Sequence, residues 1–233
     1  MNDNLALEKK ILEQKRKDIL NEVEQKKRYQ EEIQKKLISV TKEAKGSYSQ
    51  EKENTEKIYM LLKKEIENYE EALKNPYFGR VDFDEKFGSQ EKIYIGKKGI
   101  TSTYDGEEIV VDWRAPVADL YYSGTGGEAY YKAPMGVVEG DLNLKRKFLY
   151  NEENLSKIFD EGTNEIIING EEGEGLVDEF LKINLEESRG KKLKEVVATI
   201  QKEQNDIIRW PKNLPIIVQG SAGSGKTTIA LHR

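Results

Sequence analysis

The sequence predicts an α+β protein, and three observations carry that prediction. A heptad pattern without glycine or proline fills residues 5–44, and a segment rich in valine, isoleucine, tyrosine and phenylalanine follows Pro76. A short apolar run at 214–219 then precedes a glycine-rich loop. These patterns indicate a long coiled-coil helix, an antiparallel β-rich body and a buried strand that begins an α/β domain. The expected domains are a helical hairpin at 1–75, an acidic β-rich domain at 76–190 and the start of the α/β domain at 191–233.

The N-terminal domain is expected to be an antiparallel pair of helices. In the first helix, positions seven residues apart are apolar with one exception: Leu5, Leu12, Ile19, Lys26, Ile33 and Val40. Gly46 ends this helix, Ser47 and Ser49 are candidate caps for the next, and Pro76 follows the second helix. Because the second helix is shorter, the first third of helix one should pack on whatever follows Pro76, and the hairpin should protrude.

The tip of this hairpin is charged. Four glutamates lie there among lysines: Glu43, Glu51, Glu53 and Glu56. Heptad helices usually serve as structural spacers or dimerisation elements, and a charged tip is usually just solvated. On a rigid hairpin, however, the tip could also bind a partner. Both interpretations stay open.

The middle of the chain is expected to be a meander or small barrel of short strands. The Asp105-Gly106 pair is typical of a β-hairpin turn. Most aromatic residues in this part of the chain should belong to the core. The sequence predicts a strand that ends at a proline in the cluster Trp113, Arg114, Ala115 and Pro116. The role of this cluster is left open. Residues 151–190 are expected to form a loop and then a short helix, and residues 191–209 an amphipathic helix.

Charge is distributed unevenly along the chain. Residues 1–75 carry 17 basic and 16 acidic side chains, residues 76–190 carry 13 and 24, and residues 191–233 carry 8 and 3. The acidic middle would repel a phosphate backbone, because nucleic-acid affinity comes from Lys and Arg that neutralise phosphates. It suits a basic groove on a protein better.

Composition excludes several classes of protein. Cysteine is absent and histidine occurs once, so neither a thiolate metal site nor Ser/His/Asp catalysis is expected. No apolar run approaches the roughly 18 residues of a membrane span, and the N-terminus lacks the pattern of a secretion signal. The chain is therefore expected to be cytoplasmic, without a membrane partner.

The sequence GSAGSGKT at 220–227, hereafter the 220–227 loop, fits G-x-x-x-x-G-K-[ST] in full. The glycines let backbone N–H groups close on phosphates, and the helix start that follows adds favourable partial charge. Lys226 would reach the β- and γ-phosphates of ATP, Thr227 would bind Mg²⁺, and Thr228 would lie beside the α-phosphate. The expected nucleotide contacts in the loop are Gly220, Gly223, Ser224, Gly225, Lys226, Thr227 and Thr228.

A phosphate-binding loop alone does not hydrolyse ATP. Phosphoryl transfer also needs an acidic residue for Mg²⁺ and a group that orients water, which other strands of such a domain supply. The 233 residues are therefore expected to be the front of a larger protein and to hydrolyse nothing by themselves. Measurable ATP turnover that Lys226→Ala abolishes would contradict this expectation.

A charged helical hairpin is followed, in order, by the segments PYFGRVDF, YIGKKGI, VVDWRAPVADLYY, GDLNLKRKF, IFD, VVATIQKEQNDIIR and IIVQGSAGSGKTTIALHR. This series of segments resembles the HelD branch of UvrD/Rep-type superfamily 1 helicases. DWRAP and ATIQKEQNDIIR are the specific parts, and the order covers nearly the whole chain.

This resemblance implies a RecA-like ATPase domain that begins near residue 191 and a motor that uses ATP and Mg²⁺. It further implies that the hairpin enters the secondary channel of RNA polymerase, and that the motor releases or recycles polymerase. Gln204 matches the glutamine that reads the adenine edge in these helicases, and its amide offers the donor and acceptor that this edge requires. Two alternatives remain: a conventional ATP-dependent DNA helicase, whose DNA contacts lie in the full-length protein, and a non-catalytic coiled-coil adaptor.

Overall fold

The computed structural model describes residues 2–43, 49–124, 126–161, 166–167, 202–211, 213–221 and 223–232. Two long helices come first, α1 (Asn2–Glu43) and α2 (Gln50–Ala72). The strands β1 (Gly79–Glu85), β2 (Gln90–Gly96), β3 (Ile100–Thr101) and β4 (Glu108–Asp112) follow. A 3-10 turn (Pro116–Ala118) leads into the short helix α3 (Asp119–Ser123). The remaining elements are β5 (Gly127–Ala133), β6 (Gly136–Asn151), β7 (Asn154–Glu161), β8 (Ile166–Ile167), α4 (Lys202–Ile208) and α5 (Lys226–His232).

The strands form a mixed β-sheet, which confirms the α+β class and corrects the expected antiparallel body. Their order is β3-β4-β2-β1-β6-β7-β8, with β5 paired on β6. The pairs β5–β6, β3–β4 and β7–β8 are antiparallel. The pair β2–β4 is parallel, with Ile95 opposite Val111. The connection at 97–107 explains this, because it contains β3, which is antiparallel to β4. The chain therefore reverses direction at β3 and again before β4, so that β4 runs in the same direction as β2.

Two predicted segments were wrong. Residues 151–161 were expected in a loop, but β7 occupies most of them and buries Leu155 and Phe159. Residues 214–219 were expected to form a buried strand, but none of them is in a strand, and Ile217 is 96% exposed. A strand needs a neighbour for its backbone hydrogen bonds, and no described strand pairs with this segment. Residues 191–201 and the rest of the predicted loop and short helix, 168–190, lie outside the described residues.

The chain divides into two compact units, of which the first comprises Met1–Phe78, Ile93–Asp112 and Lys147–Ile158. Its helices α1 and α2 are antiparallel, as predicted. Lys36 pairs with Glu51 at 3.2 Å, and Lys26 pairs with Glu65 at 3.0 Å. Ser49 caps α2, since its side chain accepts a hydrogen bond from the backbone N–H of Lys52.

The first third of α1 packs on the strands of this unit, as the helix lengths predict. The Tyr94 hydroxyl donates to Glu8 at 3.2 Å, and Lys15 Nζ donates to the carbonyl of Ile109 at 2.5 Å. Burial of each large apolar side chain contributes about 1.5–3 kcal/mol. One core cluster joins the helices to the strands: Leu12, Ile19, Val23, Ile66, Tyr69, Tyr77, Tyr94, Ile100, Val110, Phe148, Tyr150 and Leu155.

The second unit comprises Gly79–Lys92, Trp113–Arg146 and Phe159–Arg233. Phe83, Leu120, Tyr121 and Leu142 are fully buried in it. A Cβ atom at Gly79 would lie 2.4 Å from Cε2 of Tyr121, so this close approach requires glycine. In the described part of the chain, no helix has the length and apolarity needed to cross a bilayer.

Candidate nucleotide-binding site

The 220–227 loop lies in the second unit and contains two glycines in the left-handed region, Gly223 with φ of 84° and Gly225 with φ of 83°. Residues with side chains rarely adopt this conformation, so the sequence places glycine where the backbone needs it. A Cβ atom at Gly220 would lie 2.7 Å from Oγ of Ser224, so the first glycine allows the loop to close on itself. Ala222 lies outside the described residues.

Lys226 is the first residue of α5 and its side chain reaches back over the loop. Its Nζ donates to the carbonyls of Gly220 at 2.9 Å and Ser221 at 2.7 Å, and lies 3.5 Å from Oγ of Ser224. The ammonium group therefore lies where the loop backbone converges. Thr227 is exposed in the first turn of α5, and Thr228 follows it in the same helix.

Gln204 lies on α4, and the fold brings its side chain against the loop. Its Nε2 donates to the carbonyl of Ser224 at 3.4 Å. The same atom lies 3.2 Å from the position that a Cβ at Gly225 would take, so a larger residue there would press on the amide. The predicted adenine reader and the predicted phosphate contacts are thus neighbours in space.

Sequence reasoning missed two residues, Asn205 on α4 and Arg209 directly after the helix ends. Asn205 is 1% exposed, and its Nδ2 donates to Oδ1 of Asp119 at 2.5 Å and to Oγ of Ser123 at 3.1 Å. Nε of Arg209 donates to Oδ1 of Asn205 at 2.7 Å. The two side chains are four positions apart, the spacing of neighbours on a helix, and this spacing is the signal that the sequence offers.

The guanidinium of Arg209 also binds the segment whose role the sequence left open. It donates to the carbonyls of Trp113 at 3.0 Å, Arg114 at 3.3 Å and Ala115 at 3.1 Å. Burial lowers the pKa of Arg209, and Asp119, 3.5 Å from its Nε, acts in the opposite direction. Arginine pKa values are high enough for the group to remain charged at neutral pH.

The four glutamates of the predicted partner-binding tip lie in the first unit. Glu43 is the last residue of α1, and the other three lie in the first two turns of α2. Each of those three has a lysine partner: Glu51 pairs with Lys36, Glu53 with Lys57 and Glu56 with Lys52. All of these side chains are more than a third exposed, and such surface pairs contribute only about 0–1 kcal/mol. The glutamates therefore remain accessible to a partner.

The chain was compared with models of protein families. The family model described as "DNA helicase IV HelD, N-terminal domain" matches residues 5–174. The matched range contains the helical hairpin, all the strands β1 to β8 and the 113–123 segment, whereas Gln204 and the 220–227 loop follow it. No curated protein matches the chain. Because the match covers well over half of the sequence, the chain belongs to the family of HelD-type helicase N-terminal domains.

Proposed function

We propose that this chain is the N-terminal part of an ATP-dependent superfamily 1 motor that binds RNA polymerase and releases or recycles it. In this proposal Gln204 and the 220–227 loop bind ATP with Mg²⁺, and the helical hairpin of α1 and α2 engages the polymerase. Membership of the HelD family supports the helicase-like part of the proposal. ATP turnover requires groups that a complete motor domain supplies, so nucleotide binding is the task of these residues.

The observation that carries the nucleotide assignment is the meeting of Gln204 with the loop. Its amide lies 3.4 Å from the carbonyl of Ser224, and Lys226 Nζ lies within 2.9 Å of two further loop carbonyls. A phosphate chain would offer the ammonium group charged acceptors in place of those carbonyls, and charge-assisted hydrogen bonds are about twice as strong as neutral ones. Thr227, exposed beside it, would supply the hydroxyl for Mg²⁺.

A binding titration tests this assignment directly. We expect the whole chain to bind Mg·ATP, and we expect Lys226→Ala to weaken the affinity by about 10- to 100-fold, because one charge-assisted contact contributes roughly 1.5–3 kcal/mol. Lys132→Ala is the charge-matched control, since Lys132 lies exposed on β5 of the same unit. Equal affinities of the wild type and the Lys226 variant, measured by isothermal titration calorimetry, would contradict the assignment.

Polymerase binding draws its support from the hairpin and from charge. Residues 1–75 are nearly neutral, residues 76–190 carry 13 basic and 24 acidic side chains, and the tip glutamates are accessible. Such a surface fits a basic protein groove better than a nucleic-acid backbone. A rigid pair of antiparallel helices is also suited to reach into a channel, because inter-helix pairs such as Lys26–Glu65 fix its register.

The tip can be tested without disturbing its helices. The triple variant Glu51→Gln, Glu53→Gln and Glu56→Gln removes three charges at the tip. The matched control Glu24→Gln, Glu31→Gln and Glu32→Gln removes three exposed charges from the flank of α1. We expect the tip variant to bind core RNA polymerase at least fivefold more weakly than the control. Both variants lose the same net charge, so long-range attraction changes equally in both, and the difference between them reports the contact at the tip. Equal affinity of the two variants would exclude the tip from the contact.

A conventional DNA helicase is the second candidate, because the matching family is described as a DNA helicase. Under this alternative, single-stranded DNA binding by the chain should weaken steeply with salt, with a slope that reflects the phosphates neutralised. The basic residues at 191–233, 8 against 3 acidic ones, would then carry the contact. Salt-dependent DNA binding without polymerase binding would favour this candidate.

A further inference from the structure

A group of hydrogen bonds joins the 113–123 segment to α4 and to Arg209, the residue directly after that helix. The guanidinium of Arg209 donates to three consecutive carbonyls of the segment, those of Trp113, Arg114 and Ala115. A guanidinium can do this because it carries five N–H donors in a planar fork, whereas an ammonium group has a single nitrogen. The three residues follow β4, which ends at Asp112. Arg209 therefore fits the shape of this backbone turn.

The segment itself is held rigidly. Pro116 begins the 3-10 turn and fixes its own backbone, and Ala115 before it is extended. The Trp113 side chain is 4% exposed and packs edge-on against Tyr122, with ring centroids 6.4 Å apart. Since buried aromatic rings in edge contact resist displacement, the three carbonyls present a fixed set of acceptors.

Asn205, on α4, makes a second connection to the segment. Its amide donates to Asp119 and Ser123 of α3 and accepts from Arg209. Ser123 also donates to Oδ1 of Asp119 at 2.8 Å, which orients that carboxylate. Loss of Asp119 or Ser123 would remove a hydrogen-bond partner of the buried Asn205 amide.

Gln204 directly precedes Asn205 on α4, and its amide lies against the loop at Ser224 and Gly225. The described part of α4, Lys202–Ile208, is held to the 113–123 segment through Asn205 on the helix and Arg209 directly after it. The ties at Asn205 and Arg209 thus determine where the Gln204 amide lies relative to the loop.

We propose that Arg209 and Asn205 are positioning residues, and that the 113–123 segment serves through them as a platform that sets the preference of the site for adenine over guanine nucleotides. This inference rests on the proposed nucleotide-binding function. Adenine offers an acceptor and a donor at N7 and its 6-amino group, whereas guanine offers two acceptors there. A correctly placed glutamine amide donates to N7 of adenine and accepts from its 6-amino group, whereas with guanine the amide oxygen faces a second acceptor. A displaced amide would not distinguish the two bases.

The test is the ratio of the affinities for Mg·ATP and Mg·GTP, measured on the whole chain. We expect Gln204→Ala to lower this ratio about tenfold, the value of one lost hydrogen-bonded contact. Arg209→Lys should lower it to a similar level with little change in GTP affinity. The double variant should fall no further than Gln204→Ala, because both changes remove the same contact.

Arg146→Lys is the matched control. Arg146 is buried in the second unit, where its guanidinium pairs with Asp160 at 2.5 Å. We expect its lysine variant to lower stability and to leave the ATP:GTP ratio at the wild-type value. A melting curve for each variant separates loss of folding from loss of selectivity.

Three results would overturn the inference, each in a different way. If Gln204→Ala lowers the ratio and Arg209→Lys does not, the platform has no positioning role and the proposed function stands. If Arg209→Lys weakens ATP and GTP equally, its role is structural only. If the wild type binds neither nucleotide, the proposed function fails and the inference with it.

Discussion

At the scale of residues, a cluster of tyrosines in the first unit illustrates how burial controls ionisation. The Tyr77 ring lies 4.7 Å from that of Tyr94 and 6.4 Å from that of Tyr150, in edge contacts. Burial raises the pKa of Tyr77 and of Tyr150 well above the ordinary value near 10. The folded state therefore keeps both phenols neutral at a pH where the unfolded chain ionises them.

This gives a prediction with a definite sign. A group whose folded pKa is raised contributes stability that is complete below the unfolded pKa and is lost as pH rises above it. The wild type should therefore lose stability above about pH 10, by up to 1.4 kcal/mol per pH unit for each buried tyrosine. We expect Tyr77→Phe to reduce this loss, while at pH 7 its free energy of unfolding changes by less than about 1 kcal/mol.

Urea titrations at pH 8 and pH 10.8 would measure this effect. Tyr104→Phe is the control, since Tyr104 is 92% exposed. If the Tyr77 and Tyr104 variants lose as much stability as the wild type between the two pH values, ionisation of Tyr77 does not limit alkaline stability.

Residues of the candidate site differed in how far the sequence could predict them. Gln204, Gly225 and Lys226 belong to patterns with fixed residue types, and the structure brings them together. Arg209 could not be assigned in the same way, because its partners are backbone carbonyls, which every residue has. The sequence showed Trp113 to Pro116 as a cluster, but only the fold showed what binds it.

At the scale of elements, α1 carries a polar residue where its heptad expects an apolar one. Lys26 has a side chain only 12% exposed, pairs with Glu65 at 3.0 Å and lies 5.1 Å from the centre of the Tyr69 ring. A polar residue at such a position fixes the register of two helices and usually lowers their stability. Lys26 thus specifies how α1 and α2 align.

We therefore expect Lys26→Leu to raise the free energy of unfolding by about 1 kcal/mol, because a partly buried ammonium loses hydration that its pair does not fully restore. Glu65 stays hydrated without its partner, since its side chain is 43% exposed. Chemical denaturation measures the change, with Lys27→Leu on the exposed side as control. A loss of stability greater than about 1 kcal/mol in the Lys26 variant would instead make the ion pair a net stabilising contact.

The elements also show where local patterns suffice. The heptads and the cap at Ser49 predicted α1 and α2, because helices are formed by contacts within a few residues. The strand β7 follows β6 directly and pairs with it, but its charged residues predicted a loop. The parallel pairing of β2 with β4 depends on a strand that is not next in the chain, so local patterns misjudged it. The run at 214–219 failed for the same reason, since apolar residues form a strand only beside another strand.

At the scale of the whole molecule, charge supports the polymerase-binding part of the proposal and family membership supports its helicase-like part. A nearly neutral hairpin, an acidic middle with 13 basic and 24 acidic side chains, and a basic C-terminal part follow one another along the chain. The residues suited to a protein partner therefore lie in the first two parts of the chain, and those suited to a nucleotide lie in the last part. The HelD family match covers the first of these parts and most of the second.

Co-migration of the whole chain with core RNA polymerase on a sizing column, at about 0.15 M salt, tests the central proposal most directly. We expect a stable complex with polymerase and weak binding to single-stranded DNA under the same conditions. Separate elution from polymerase, together with strongly salt-dependent binding to single-stranded DNA, would contradict the proposal and favour a conventional DNA helicase.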